Sequence, residues 1–375
     1  MVKPIRFFAT NRDRENLGRN TNRDQRITLQ QGGYHWVDMK KYMSYYLATT
    51  DRSNMPSEGI IEDSDNDVFK EFLLKKPVKR IIIGIHGFNV SFEAALTSFS
   101  LLADCLEPAL EKLGSTLITD PVTDTNPALD DSNPQDVTAF VGFSWPSNGK
   151  VLEYLSDRAE AVQTSPILSN LIGYIRAKNP KAEIHIIAHS MGNYLTCNML
   201  SGLIDNVFKP FSEENNADIK KQLERQDKGG KDAFFIDRFV MLAPDVERRE
   251  VTQCDDGTII DPKFQYLGPF HAGLKHLVQE THLFYSRFDN ALKASVVEKD
   301  FVQESFQKGV ELFTGTDLKK RWESSLGLNP LSSLVPENMY DHNATLLTNR
   351  EIDHGDYFDA PAIIEKIAAI IMKKN

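Results

Sequence analysis

One segment constrains this chain more than any other: Ile184-His185-Ile186-Ile187-Ala188-His189-Ser190-Met191-Gly192, where a run of apolar β-formers ends at a serine. A helical pattern from Met191 to about Ile204 follows without a spacer. A strand and a helix joined through one residue require a tight turn in which their backbones nearly touch. Small side chains are therefore needed two residues before and two after the serine, and Ala188 and Gly192 supply them. Such a turn lifts the Ser190 hydroxyl above a sheet edge, as a nucleophile elbow does; the plain structural alternative is a serine that caps a helix.

The surrounding pattern supports the strand–turn–helix reading. β-rich runs at Val78 to His86, Val137 to Trp145, Glu183 to Ala188, Arg238 to Ala243, Thr281 to Ser286 and Ala344 to Thr348 are separated by helical stretches. The helices are expected from about Ser91 (a candidate N-cap) to Leu113 with a stop at Gly114, over Leu152 to Ala177 with a break near Pro166, and from Ala360 to Lys374. This alternation predicts the α/β class: a mostly parallel central sheet with helices on both faces, in one domain over residues 1–375. Ile5 to Ala9 and Tyr45 to Thr49 are possible antiparallel edge strands, and residues 115–135, 206–231 and 292–340 read as inserted loops or lid segments.

A serine hydroxyl attacks well only when a base takes its proton and an acid fixes that base in one tautomer. On this kind of sheet the chain order is serine, acid, histidine. Asp289, at the end of Phe284-Tyr285-Ser286-Arg287-Phe288-Asp289, is the leading acid, with Asp245 as the alternative after Met241-Leu242-Ala243-Pro244. His354, in Asp353-His354-Gly355-Asp356, is the leading base; His342 and His282 are its rivals, the latter better explained as a core histidine. Backbone N–H groups of Met191 and of Phe88, in Ile85-His86-Gly87-Phe88-Asn89, are the candidate donors to a developing oxyanion. His86, Gly87, Trp145 and His189 are candidate pocket residues; Trp145 could equally pack over the sheet edge, Gly87 could serve a tight turn that needs φ > 0, and His189 could merely pack, whereas the i, i+3 pair Tyr154 and Asp157 suits a structural network.

These segments together resemble α/β-hydrolase fold proteins of a largely bacterial family first catalogued as a domain of unknown function. The resemblance rests on Phe8-Ala9-Thr10-Asn11-Arg12, Ile85 to Asn89, Phe143-Ser144-Trp145-Pro146-Ser147, Tyr154 with Asp157, Ala188 to Gly192, Ala243-Pro244-Asp245 and the Asp289 and His354 segments. It implies an esterase-like serine hydrolase carrying Ser190, Asp289 and His354, without a settled substrate. Hydrolysis of a carboxylic ester through an acyl-enzyme is the expected activity. The same three residues would serve a thioesterase or amidase, and a ligand-binding or scaffold module is the alternative of another class.

The hydrolase reading implies a small-molecule or acyl substrate as partner, and bulk properties bear on the other partner classes. With 43 basic against 53 acidic residues the formal charge is -10, which disfavours a non-specific nucleic-acid surface or an anionic-lipid anchor. No apolar run reaches the roughly 20 residues that span a bilayer, and no signal-like core follows Met1, so a cytoplasmic chain is expected. Cys105, Cys197 and Cys254 lack paired short spacing, and there is no His-Glu-x-x-His; neither a metal nor a cofactor is expected. The oligomeric state is not legible.

Overall fold

The computed structural model describes residues 8–12, 35–37, 60–62, 78–119, 136–147, 154–204, 235–252, 268–295 and 325–373. Among them the strands are β1 (Phe8–Thr10), β2 (His35–Val37), β3 (Ile60–Glu62), β4 (Arg80–Ile85), β5 (Ser115–Ile118), β6 (Asp136–Ser144), β7 (Glu183–His189), β8 (Ile236–Leu242), β9 (Val278–Tyr285) and β10 (Met339–Asn343). The helices are α1 (Phe92–Lys112), α2 (Tyr154–Lys178), α3 (Met191–Ile204), α4 (Arg248–Val251), α5 (His271–Leu277), α6 (Ala344–Thr348) and α7 (Pro361–Ile371). One sheet runs β10-β9-β8-β7-β4-β6-β1-β2-β3, with β5 also beside β6. β4 to β10 pair in parallel, and among the strand pairs of the described residues only β1–β2 and β2–β3 are antiparallel.

Alternation along the central strands decides which helices cover which face. Ile81, Ile83, Ile85, Ile184, Ile186, Phe239 and Met241 join a core with Leu168 and Leu171 of α2, Leu195 and Met199 of α3 and Leu274 of α5. Ile82, Ile187, Val240 and Leu242 point the other way, onto Phe92, Leu96 and Phe99 of α1 and Ile363 and Ile367 of α7. Each fully buried branched side chain contributes on the order of 1.5–3 kcal/mol, so the middle of the sheet is a stiff platform. Gly84 is small for a packing reason: a Cβ there would lie 2.8 Å from the Phe140 ring and 3.0 Å from that of Phe99.

Chain order reverses at β4, because β6 lies on one side of it and β7 on the other. The helices that follow them, α1 and α3, cover opposite faces of the sheet, so the carboxyl ends of β4 and β7 lie at the kind of switch point where such sheets bind ligands. Ile85 pairs with Ala188 in that register, which sets the loop after β4 beside the turn after β7.

Several local expectations differ from the structure. Ala344 to Thr348 is helix, and the last strand precedes it: the Asn343 side chain accepts from Leu346 N at 3.1 Å and starts the helix, which Asn349 ends at φ 52°. Ser115, expected to open a loop, begins β5, whose buried Leu117 and Ile118 carry the strand pairing. β1 lies inside the sheet, parallel to β6, because nine-residue β6 extends beyond four-residue β5 and leaves its carboxyl half open to pair. Helix α2 runs through Pro166 unbroken; Val162, whose carbonyl loses its donor there, is on the water-facing side at 42 % exposure. From the segment 292–340, Leu292, Leu326 and Leu328 are buried in the main core, whereas Tyr45 to Thr49 and residues 206–231 lie outside the described residues.

Candidate active site

Ser190 sits between β7 and α3 with φ 51°, a left-handed conformation that costs a non-glycine residue about 1–3 kcal/mol. That is no more than the burial of one β7 isoleucine supplies. The turn is fixed from β8: Ser190 N donates to Leu242 O at 3.0 Å, Asp245 N donates to Ser190 O at 3.2 Å, and Asn193 Nδ2 bridges Ser190 O and Leu242 O at 3.0 and 3.1 Å. Gly192 lies so close to β4 that a Cβ would stand 2.5 Å from His86 O and 2.9 Å from Ile85 O. Sequence reading missed Asn193, although an asparagine in the first turn after an elbow is the signal that could have found it.

The loop after β4 presses on this turn. A Cβ on Gly87 would lie 2.7 Å from Ser190 Cβ, so only glycine fits there, for lack of space and not, as the turn reading expects, for a positive φ, which Gly87 does not have. His86 organises the loop from inside. Trp145 N–H donates to His86 Nε2 at 3.1 Å, which makes Nε2 an acceptor and leaves the ring proton on Nδ1, 2.9 Å from Gly87 O. Burial, with the Arg12 guanidinium nearby, holds the imidazole well below its ordinary pKa and keeps it neutral. With the Gly87 carbonyl held on one side of a planar trans peptide, the Phe88 N–H projects from the other. Met191 opens α3, so its N–H has no acceptor within the helix.

Trp145 is fully buried, stacked on His86 at 5.4 Å, and donates Nε1–H to His86 O at 2.9 Å; His86 and Trp145 thus support the loop from below. Arg12, also buried, donates to Ser144 Oγ at 2.8 Å and Val90 O at 2.7 Å, tying β1 to the far side of the same loop. Phe88 packs edge-on against Tyr154 at 5.5 Å.

Asp289 follows β9 and is fully buried. Its Oδ1 accepts from Leu292 N at 2.9 Å, and its Oδ2 lies 2.8 Å from His354 Nδ1. A carboxylate there accepts the Nδ1 proton and leaves Nε2 of His354 as the basic nitrogen; that side chain is 24 % exposed and so reaches solvent-borne ligands. Asp353 braces the loop, accepting from His354 N and Asn290 N at 2.9 Å each, and these backbone donors lower its pKa. His189, one residue before Ser190, stands 4.5 Å from the His354 ring between centroids. The carboxyl ends of β4, β7 and β9 and the loop beyond β10 thus bring Gly87, Phe88, Ser190, Met191, Asp289, His354 and His189 to one end of the sheet.

The side chains of the rival residues are engaged with other partners. Asp245 accepts from Tyr154 Oη and from Ser295 Oγ at 3.0 Å, and Asp157 accepts from Ser147 Oγ at 2.9 Å, so the i, i+3 pair serves two partners. His282 and His342 face one another within β9 and β10, with ring nitrogens 3.1 Å apart, and burial first of all pushes each to about 4. Among the described residues no group of three or more His, Cys, Asp or Glu side chains is arranged to hold a metal ion, and no helix is long and apolar enough to cross a membrane. Cys105 and Cys197 are free thiols, and Cys254 lies outside the described residues.

Against known protein families, residues 61–350 match a family described as an alpha/beta hydrolase of unknown function, DUF900. The chain belongs to this family. As a DUF900 member it has the α/β-hydrolase fold, in keeping with its largely parallel sheet covered on both faces. A relative from Nostoc sp. (strain PCC 7120), the uncharacterized protein alr1448, is 64 % identical over 371 residues, 99 % of this chain and 94 % of the relative. Among solved structures, lipase B of Aspergillus fumigatus aligns with a TM-score of 0.35 and 12 % identity, over 79 % of this chain and 63 % of the lipase.

Proposed function

We propose that this DUF900 protein is a serine hydrolase that cleaves a carboxylic ester, with Ser190 as nucleophile, His354 as base and Asp289 as the residue that orients the base. The observation that carries this reading is the 2.8 Å Asp289–His354 contact beside a serine held at φ 51° on a strand-to-helix turn. In the first half-reaction Ser190 Oγ attacks the ester carbonyl carbon as its proton passes to His354 Nε2. The carbonyl oxygen, now negative, is met by the N–H groups of Phe88 and Met191. The C–O bond to the alcohol then breaks, and the alcohol leaves with the proton from Nε2. Water next attacks the acyl carbon and gives its proton to Nε2. Ser190 departs with that proton restored, and the carboxylic acid is released.

Preorganisation supports the oxyanion assignment, since the His86 bond to the Gly87 carbonyl aims the Phe88 N–H before any substrate binds. The test is covalent labelling together with turnover. A fluorophosphonate is expected to mark Ser190, and Ser190→Ala is expected to lose both the label and hydrolysis of short p-nitrophenyl esters, by on the order of 10³-fold or more. Unchanged turnover by S190A would overturn the reading.

A further inference from the structure

The main chain of the proposed base is gripped by the residue next to the proposed nucleophile. His189 Nε2 lies 2.8 Å from the carbonyl oxygen of His354. A carbonyl only accepts, so this nitrogen carries the ring proton and donates it, and His189 Nδ1 is left unprotonated. The same imidazole packs on Phe358 at 4.8 Å and Tyr357 at 6.5 Å, both in the turn that follows the base. Its Nδ1 would be 3.3 Å from a Cβ at Gly87. One side chain on β7 therefore touches the base loop, the turn after it and the loop after β4.

The other restraints on His354 leave a gap that this contact fills. Asp289 holds the ring at Nδ1, Asp353 takes the His354 N–H, and Ser286 Oγ donates to Ile352 O two residues upstream. These anchors belong to the base loop itself or to the strand end that carries the acid. None of them measures the base against the nucleophile. The His189 bond does so, because its donor is one peptide away from Ser190.

We propose that His189 is a positioning residue: its Nε2–H ties the His354 main chain to the elbow and registers the basic nitrogen against the Ser190 hydroxyl. The proposal rests on the serine-hydrolase reading above and goes beyond it. A ring that merely filled space could be any aromatic side chain, whereas a tether requires the donor. Burial, and then the adjacent His354, hold the His189 imidazole at about 3. It therefore keeps the same donor at neutral pH and adds no second charge when His354 takes up the serine proton.

The experiment compares His189→Phe, which keeps a ring and removes the donor, with His189→Gln, which returns an N–H close to the position of Nε2. In the full-length chain, H189F is expected to lose on the order of 10- to 100-fold in kcat for a p-nitrophenyl ester, since a base misplaced by about 1 Å costs that much. KM should stay within about twofold, and H189Q should recover most of the rate. Amide hydrogen exchange over residues 350–358 should be faster in H189F and close to wild type in H189Q. The tether is overturned if H189F matches wild type in both rate and exchange, or if H189Q is as impaired as H189F. Should H189F fail to fold by circular dichroism, His189→Asn, one methylene shorter than Gln, takes its place with the same expectations. Absence of labelling and turnover in the wild-type chain would remove the serine-hydrolase reading alone; the exchange comparison then decides the tether, and equal exchange in all three chains refutes it.

Discussion

Replacing Asp289 by asparagine probes the proposed site at its most buried point. Wild-type Oδ1 accepts from Leu292 N at 2.9 Å and Oδ2 faces His354 Nδ1 at 2.8 Å. An asparagine fits the same space but has one acceptor and one donor. Turning its NH₂ toward Leu292 N would set two buried donors against each other, at a cost of about 1–3 kcal/mol, so its oxygen stays on Leu292. The NH₂ then faces His354 Nδ1, which must give up its proton, and the proton moves to Nε2. The base becomes a donor toward the serine. Orientation alone thus disfavours the working tautomer by about 5- to 150-fold, and losing the carboxylate that stabilises the imidazolium brings the expected fall in kcat to on the order of 10³–10⁴, or roughly 4–5.5 kcal/mol of barrier. Stopped-flow release of p-nitrophenol at saturating substrate measures it, with a melting curve to show that the fold persists. The control is Asp245→Asn, where one of the Tyr154 and Ser295 hydroxyls can still donate to the remaining oxygen and the other can turn to accept from the new NH₂, and kcat is expected within about tenfold of wild type. If D289N keeps more than about a tenth of the wild-type rate, or if D245N is the more damaging change, the tautomer argument is wrong.

Two further outcomes concern stability. Gly192→Ala is expected to destabilise the chain by about 1–3 kcal/mol or more, because the new methyl would sit 2.5 Å from the His86 carbonyl; a melting temperature equal to wild type would contradict that packing. Acid should also weaken the fold. His282 and His342 are held at about 4 and His189 at about 3, below the ordinary value of about 6.5, so between those limits the unfolded chain binds more protons than the native one. Stability is thus full above about 6.5 and is lost as pH falls toward 4. Urea midpoints from pH 7.5 to 4.5 should drop, and the drop should shrink in His282→Gln, which stays neutral; identical slopes in the two chains would show that this histidine contributes nothing.

The centre of the sheet was legible because two signals agreed there. Ile81 to Ile85 and, but for His185, Ile184 to Ala188 are apolar runs, as strands covered on both faces must be, and each is followed by a helical pattern. The order of Ser190, Asp289 and His354 was readable for a related reason, since each follows a strand whose end the topology places on the same side. Ala344 to Thr348 misled because a five-residue apolar and threonine run looks alike in strand and helix, and the Asn343 cap that decides it acts through one side-chain bond. The contact between His189 and the His354 carbonyl joins residues 165 positions apart, a distance over which local pattern carries no information. The sequence likewise showed His86 as half of a His-Gly pair and a candidate pocket residue, but not its tautomer, which depends on Trp145 reaching it from the end of a different strand.

The β4–β6 crossover gives assembly an order. Strand β7 and its strained serine belong to the middle of the chain, yet the imidazole proposed to serve that serine arrives from beyond β10, at a border of the sheet. Once the segment through Asp245 has closed over the turn, the hydroxyl is on its platform while more than 100 residues up to His354 remain to be added, and on the proposed reading it stays chemically idle until that last loop docks. Reactivity toward an electrophile then reports on completion of the whole sheet, and a ribosome-released fragment ending before residue 354 would carry the platform without the power.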